Sequence, residues 1–307
     1  MRAPSDGTTL GSVSVTSATV PARPRWTERY GTWLLLAPGT LWMLLFLAVP
    51  MLMMVYVSFW TQKTFSIEPR LTLQSWINFF SSSTYVGALV TTVEIWAIVL
   101  FFTVILGYPT ALYIGLFIRN KTTQTIVLVL CVVPFWTSFL IRVLAWRPML
   151  GKEGAVNLLL LKLGLISHPI DVLLFTKVSV IIGMVQIYVV FMVGPVAVML
   201  GRIDRSLIEA ARDLGAGSWR IFRTIIFPLT LPGVAVGAIF VSVMVLGEFA
   251  TSAALSGQKV NLLGNIIVTE VGSLKWAFAA VAGVVLTAVM GIVIAGLLRA
   301  VNLREEL

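Results

Sequence analysis

Three charged residues lie inside long apolar runs of the sequence: Glu94, Arg142 and Glu248. A charge at the centre of a bilayer costs roughly 2.5–3.5 kcal/mol on insertion scales, so such residues usually face a helix-bundle interior or a water-filled cavity. Two interpretations of Glu248 stay open. Its carboxylate lines a water-filled path and attracts a cationic solute, or it forms a structural ion pair with Arg142. Glu94 falls near the outer start of its run, where it can lie at the membrane surface.

Residues that could carry catalysis or bind a metal are sparse in this chain. The single histidine, His168, has no partner at a metal-ligand spacing, and the single cysteine, Cys131, lies in an apolar run. The sequence also lacks a G-x-x-x-x-G-K-S/T phosphate loop, an H-E-x-x-H pair and a nucleophile elbow. We therefore expect no cofactor in the chain, and a membrane enzyme is the weaker hypothesis.

The elements that must position the charged residues are apolar helices. Of the 307 residues, 58% are hydrophobic and 11% are charged, whereas soluble domains are about one quarter charged. A helix of about 20 apolar residues crosses a bilayer. The sequence predicts an all-α polytopic membrane protein with an interruption of the second helix at Gly107-Tyr108-Pro109. The six predicted transmembrane helices are residues 33–59, 86–118, 125–146, 177–200, 231–255 and 277–298.

The basic residues set the expected orientation. Placing the N-terminus in the cytoplasm puts 13 of the 22 lysines and arginines on the cytoplasmic side and 8 on the outer side. This bias predicts a multi-pass membrane protein with both termini in the cytoplasm. Residues 1–29 are predicted to be a disordered cytoplasmic tail, and residues 30–307 the transmembrane domain. The net charge of +9 then reflects membrane topology and lipid contact rather than nucleic-acid binding.

The predicted cytoplasmic loop 201–230 is polar and rich in arginine. Ser206 and Glu209 have the spacing of a capping box at a helix start. Gly215 favours a left-handed end to the same helix. We expect a short helix, Ser206–Leu214, whose small face inserts into the groove of a partner protein. One stripe of this helix carries small or apolar residues at helical spacing: Leu207, Ala210, Ala211 and Leu214.

A second short helix is expected after the glycine turn, with Ser218 as its cap. Trp219 lies on one face of this helix, and Arg220 and Arg223 lie on another. Pro228 is expected to break the helix before the next span. Alternatively, the loop is solvated and its helices lie on the membrane with the arginines facing anionic lipid. That alternative leaves the two alanines, the glycine turn and the carboxylate of the first helix unexplained.

Glu209-Ala210-Ala211, followed after three residues by Gly215 and later by Phe227-Pro228, resembles the EAA motif of bacterial ABC importer permeases. Phe227 stands where the family usually has leucine. Other segments are similar to the spermidine/putrescine-type permease family, and the resemblance covers roughly residues 33–300. These segments are Leu106–Pro109, Pro134–Arg142 with Ala145-Trp146, and Leu246–Phe249.

The resemblance implies a type I ABC importer permease of MetI-like architecture. Such a chain forms half of a translocation pore, together with a second permease that is related but not identical. The helix holding Glu209–Leu214 would be the coupling helix, bound by a cytoplasmic ABC ATPase dimer that carries ATP and Mg. A periplasmic binding protein would dock on the outer loops. The implied solute is a polyamine or a similar cation.

The residues and the resemblance together assign two sets of site residues. The alternatives to an importer permease for a polyamine are an importer permease for another solute class, such as an opine, an amino-acid derivative or an anion, and a stand-alone secondary transporter. Residues expected to couple to the ATPase are Glu209, Ala210, Ala211, Asp213, Leu214, Gly215 and Trp219. Residues expected along the substrate path are Glu248, Trp136, Arg142 and Tyr188.

Overall fold

The computed structural model describes residues 26–64, 66–118 and 120–300, which form two compact units, Met1–Met51 and Leu52–Leu307. Residues 1–25 of the expected tail lie outside the described residues. Residues 26–29 were expected in that tail, but they belong to helix α1, because the first helix extends beyond its apolar stretch. In the first unit the described residues are helical throughout.

The first helix begins before the predicted span, at Trp26, and a hairpin follows it. The span has a membrane-crossing stretch at Leu35–Val57 and ends two residues before the predicted boundary. The hairpin is antiparallel, and the Lys63 ammonium pairs with the Glu68 carboxylate within it. The elements are α1 (Trp26–Met43), a π turn (Leu44–Ala48), α2 (Val49–Val57), β1 (Trp60–Gln62), β2 (Ile67–Leu71) and α3 (Gln74–Ser81).

The second span is continuous, and the interruption predicted within it is wrong. Helix α4 (Ser83–Leu112) runs through Gly107-Tyr108-Pro109 and continues as a π turn (Tyr113–Phe117). A proline is tolerated inside a membrane helix because neighbouring groups and local widening of the helix satisfy the freed backbone carbonyls. The span therefore carries Glu94 and Tyr108 on one helix.

The third span is broken rather than straight, which corrects the helix predicted at 125–146. Its halves, Lys121–Trp136 and Phe139–Lys162, are bent by 92°. Pro134 removes a backbone donor, Thr137 is extended, and Ser138 is non-helical with ψ 135°. The elements are α5 (Lys121–Val132), a 3₁₀ turn (Val133–Trp136), α6 (Phe139–Leu144), α7 (Trp146–Leu150) and α8 (Ala155–Lys162).

The fourth span, α9 (Lys177–Leu200), has the predicted bounds, whereas the fifth does not. A helix predicted at 231–255 is observed at Ser218–Leu246. The observed helix includes Pro228, which has no backbone N–H to donate. A π turn widens the helix just before this proline, so the helix continues through it. The elements are α10 (Arg205–Asp213), α11 (Ser218–Ile221), a π turn (Phe222–Ile226), α12 (Phe227–Leu246) and α13 (Ala250–Leu255).

The last two helices complete the described chain. Helix α14 (Leu263–Gly272) is short and apolar, and α15 (Trp276–Ala300) is the sixth span, two residues longer at its C-terminal end than predicted. Within the described residues, five helices are long and apolar enough to cross a membrane, and the bent third span makes a sixth if its halves are counted together. The predicted number of six spans is confirmed when the two halves of the third span are counted as one.

Helix α9 forms the centre of the bundle and packs against α4 and α12. Two glycines let backbones approach closely there. A Cβ on Gly107 would lie 2.9 Å from the Met192 side chain, and one on Gly237 would lie 2.8 Å from the Met192 sulfur. Small residues at membrane helix crossings give such close packing. Met192 is fully buried between the three helices.

Candidate functional site

Helix α10 is held at its start by a residue that the sequence analysis overlooked. Asp204 is the N-cap, and its carboxylate accepts the backbone N–H of Ser206 at 3.0 Å. This backbone hydrogen bond, with a contribution from the Ser206 side chain, lowers the pKa of the Asp204 carboxyl below its ordinary value of 3.8. The predicted capping box of Ser206 and Glu209 is not formed, because the helix begins at Arg205 and both residues already lie inside it.

The end of α10 has the predicted glycine geometry. Gly215 has φ +79°. Its N–H donates to Arg212 O at 2.8 Å, and the N–H of Ala216 donates to Ala211 O at 2.9 Å. These two bonds form a Schellman motif, in which the residue after the C-cap is left-handed. The turn fixes the direction in which the chain leaves the helix.

The two sides of α10 have different surroundings. Ile208 and Ala211 pack on a buried cluster that includes Tyr108 and Ile221. An adjacent face is exposed and carries Leu207, Ala210 and Leu214, of which Leu214 is 88% exposed. The predicted stripe is therefore divided, because Ala211 faces the protein while the other three residues face outward. Asp213 is also exposed.

A cavity of about 440 Å³ lies beside α10, and Arg205, Glu209 and Arg212 are among its lining residues. Its remaining walls come from Leu112 at the end of α4, from α11 and from the two π turns, Tyr113–Phe117 and Phe222–Ile226. Trp219 is 72% exposed and stacks on Phe222, with ring centroids 5.5 Å apart. Ser218 was predicted as the cap of this second helix, but Gly217 occupies the N-cap position.

Glu248 lies in a break between α12 and α13 rather than inside a continuous helix. It is 6% exposed. Its carboxylate accepts the Tyr188 hydroxyl from α9 and the backbone N–H of Thr251 at 2.8 Å. Each carboxyl oxygen of this buried group therefore has a hydrogen-bond donor from its own chain. Thr251 was missed by the sequence analysis, although a carboxylate three residues before a helix N–H is a capping signal.

Arg142 does not pair with Glu248, which removes the structural ion pair considered from the sequence. Within the described residues, the ion pairs join other partners. The Arg142 guanidinium carbon lies 4.4 Å from the centroid of the Phe135 ring. Its buried Nε has no hydrogen-bond partner among the described residues. Arg142 nevertheless lies in the neighbourhood of the Tyr188–Glu248 cluster, because its helix α6 packs against α13.

The other predicted substrate-path residues also separate. Tyr188 is 4% exposed and joins the Glu248 cluster, whereas Trp136 ends its 3₁₀ turn with 84% of its surface exposed. Glu94 of α4 pairs with Lys177, the first residue of α9, at 2.7 Å. The structure thus brings together Tyr188 and Glu248, and leaves Trp136 outside that cluster.

Comparison with known proteins identifies the family. A family model described as binding-protein-dependent transport system inner membrane component matches residues 103–306. The chain belongs to this family. The permease is 35% identical over 255 residues to the spermidine/putrescine transport system permease protein PotB of Escherichia coli strain K12, covering 82% of this chain and 91% of that protein. It is 33% identical over 256 residues to PotB of Haemophilus influenzae, covering 82% and 88% of the two chains.

A solved structure shows the same fold. The crystal structure of a bacterial ABC transporter involved in the import of the acidic polysaccharide alginate matches with a TM-score of 0.72 and 21% identity. The match covers 90% of this chain and 98% of the other. The permease therefore has the expected ABC importer fold, and it is a multi-pass inner membrane component of a transport system.

Proposed function

We propose that this permease forms half of the translocation pore of an ATP-driven importer for a polyamine or a similar small organic cation. The similarity to two spermidine/putrescine permeases, each across 82% of the chain, supports the solute class. Glu248 supports a cationic solute, since it is an acidic side chain buried within the membrane bundle. A different small solute, such as an opine, an amino-acid derivative or an anion, is the alternative.

The exposed side of α10 carries the proposal that the permease is driven by another protein. Leu207, Ala210 and Leu214 form a small, apolar and exposed face on a helix that is fixed at both ends. Such a face suits insertion into a groove. The partner in this proposal is a cytoplasmic ABC ATPase dimer, which binds ATP and Mg and seats α10. Both chain termini then lie in the cytoplasm.

The inner side of α10 supplies a mechanical connection in this mechanism. Ile208 and Ala211 pack on the cluster that holds the inner ends of α4 and α12. Closure of the ATPases moves α10, and the movement passes to α4 and α12 through this packing. The pore then changes between two discrete states with the solute site open to opposite sides. A second permease completes the pore, and a periplasmic binding protein on the outer loops delivers the solute.

Reconstituted transport tests this proposal. The permease, its co-purified ATPase and second permease are placed in vesicles, and uptake of radiolabelled putrescine is measured with the binding protein and ATP. We expect ATP-dependent uptake that stops in the Gly215→Pro variant, because proline requires φ near −65° and Gly215 has φ +79°. Uptake by the permease alone, without an ATPase, would contradict the mechanism. Uptake of an amino-acid derivative in place of putrescine would correct the solute class only.

A further inference from the structure

Two arginines of α10, Arg205 and Arg212, line the cavity beside this helix, and the proposed contact with the ATPase uses neither of them. Glu209 lines the same cavity between them, four residues after the first arginine and three before the second. Such spacings allow ion pairs on a helix. Within residues 26–64, 66–118 and 120–300, however, the observed ion pairs join other side chains. The cavity therefore contains two guanidinium groups that the described part of the chain does not neutralise.

The face of α10 that borders the cavity points away from the face proposed to contact the ATPase. Successive residues of an α-helix are about 100° apart, so the three charged residues fall within an arc of about 60°. The centre of that arc is about 170° from the centre of the exposed face that carries Leu207, Ala210 and Leu214. A ligand in the cavity and a protein on the exposed face can therefore be bound at the same time.

The cavity lies at the level where two membrane-crossing helices end. Phe117 is the last residue of the helix Ser83–Phe117, and Ser218 is the first residue of the helix Ser218–Leu246. Both Phe117 and Ser218 line the cavity. The ends of membrane-crossing helices lie near the polar head groups that flank the hydrocarbon core. The two arginines are thus placed at the depth of lipid head groups.

The walls of the cavity away from the charged residues are apolar. Ile221 and Ile226 on these walls are buried, whereas Phe117 is 73% exposed. The cavity volume of about 440 Å³ lies within the usual range for small-molecule pockets. It can hold a head group but not a whole phospholipid, so the acyl chains would leave it past Phe117. An amphiphile with an anionic head matches both the arginines and the apolar walls, whereas a small soluble anion leaves the walls unused.

We propose that this cavity binds the phosphate of an anionic phospholipid, with Arg205 and Arg212 as its ligands and the acyl chains along the end of the second span. Arginine is well suited to this role because its planar group donates two hydrogen bonds to one phosphate. The inference rests on the proposed cytoplasmic position of the termini, which places the cavity in the leaflet that carries anionic lipid. The bound lipid supports α10 from the side opposite to the ATPase, and the Glu209 carboxylate weakens its binding by repulsion.

Lipid binding to the intact transporter tests the assignment. The detergent-purified complex is titrated with dioleoyl phosphatidylglycerol or with dioleoyl phosphatidylcholine, and bound lipid is measured by native mass spectrometry. Each arginine near an anionic lipid contributes about fivefold, so the double variant Arg205→Gln, Arg212→Gln should bind phosphatidylglycerol about 25-fold more weakly. The control is Arg220→Gln, Arg223→Gln, which removes the same charge from exposed residues outside the cavity lining and should retain the affinity.

Three results of this titration would overturn the proposal. They are equal losses of binding in the two double variants, no preference of the unaltered complex for phosphatidylglycerol over phosphatidylcholine, and binding that appears only after the ATPase is removed. The last result would assign the arginines to the ATPase.

A gain of binding provides a second test, because unfolding of a variant cannot produce it. Glu209→Gln removes the negative charge from the cavity and should strengthen phosphatidylglycerol binding several-fold. Unchanged or weaker binding would contradict a phosphate beside this carboxylate. Glycerol 3-phosphate has the phosphate without acyl chains and should not displace the lipid at equal concentration. Its displacing the lipid would assign the cavity to a soluble anion instead.

The readout separates this inference from the proposed function, because lipid binding is measured without ATP hydrolysis or uptake. Normal putrescine uptake by a complex that binds no phosphatidylglycerol contradicts the lipid site alone. Lipid bound as expected in a complex that takes up no putrescine contradicts the proposed function alone.

Discussion

Two carboxylates of this permease, Glu209 and Glu248, stand in opposite surroundings. Glu209 is exposed beside α10 and lines a cavity with two arginines, yet it makes no ion pair within the described residues. Glu248 is 6% exposed and accepts two hydrogen bonds from its own chain. Burial explains the difference, because a desolvated charge needs partners whereas a hydrated charge does not. The surface around Glu209 is available to another protein, whereas the surroundings of Glu248 are fixed by contacts within this chain.

The same contrast extends to what fixes each region. At α10 the backbone decides the geometry, through the Asp204 cap and the left-handed Gly215. At the Glu248 cluster the side chains decide it, since Tyr188 and Thr251 belong to different helices and meet on one carboxylate. Substitutions should therefore affect protein stability in the buried region and coupling to the ATPase in the exposed one.

The largest effect is expected from Glu248→Ala. The variant leaves the Tyr188 hydroxyl and the Thr251 N–H without an acceptor in a buried place, which costs about 2–5 kcal/mol. The melting temperature of the detergent-solubilised protein should fall by about 5–15 °C, as followed by scanning fluorimetry. An unchanged melting temperature would show that the cluster does not hold α13 against α9.

Glu248→Gln separates structure from transport at the same position. The amide keeps an acceptor for Thr251 but removes the charge, so stability should fall less than in Glu248→Ala. If the carboxylate attracts a cationic solute, uptake falls at least tenfold while the melting temperature stays within a few degrees. Tyr188→Phe is the companion variant, since it removes the hydroxyl and retains the charge. Normal uptake by Glu248→Gln would make the carboxylate purely structural.

A smaller effect is expected when a large side chain is introduced on the exposed face of α10. Ala210→Phe should leave expression and melting temperature unchanged because Ala210 is exposed. Overpacking in a groove typically costs about 1–3 kcal/mol, so substrate-stimulated ATP hydrolysis should fall about 5- to 100-fold. Ala210→Ser is the control of near-equal size and should retain the stimulation. Equal rates in both variants would move the ATPase contact away from this face.

The sequence predicts the membrane helices better than their breaks. Apolar length identifies α9 to the residue and α15 within two residues, because hydrophobic burial in lipid depends on local composition. Breaks depend on tertiary packing instead. Pro109 and Pro228 lie within continuous helices, whereas the third span bends by 92° after Pro134. A proline in the sequence therefore does not by itself show whether the helix continues or bends.

The site shows a similar division. The turn at Gly215 can be predicted from the sequence, because a left-handed backbone at a helix end depends on only a few neighbouring residues. The partners of Glu248 do not, because Tyr188 lies 60 residues away in the sequence. The hypothetical pair of Glu248 with Arg142 was chosen by charge alone. In the structure, the bend in the third span gives Arg142 the ring of Phe135 instead.

Gly215 and Gly217, which are separated by one residue, test whether the backbone angle controls the geometry of the exposed region. Gly215 has φ +79° and Gly217 has φ −69°, and a Cβ on either would meet nothing within 4 Å. Gly215→Ala should therefore strain the turn by about 1 kcal/mol, whereas Gly217→Ala should be neutral. Hydrogen exchange of the α10 amides should rise about fivefold in the first variant only. A similar rise in both would mean that the left-handed angle is not what holds the turn.

The smallest effect concerns the Asp204 cap and its dependence on pH. Because the folded pKa of this carboxyl lies below the ordinary value of 3.8, its stabilisation of α10 is fully present above pH 3.8. It is lost only as the pH falls further, through the lowered folded pKa. Protection of the α10 amides should thus persist at pH 4 and decline below it, as measured by hydrogen exchange. Asp204→Asn retains an acceptor but does not ionise, so its protection should not decline over that range. A parallel decline in Asp204→Asn would assign the pH dependence to another group, and the exposed region would then owe its geometry to Gly215 rather than to both ends of the helix.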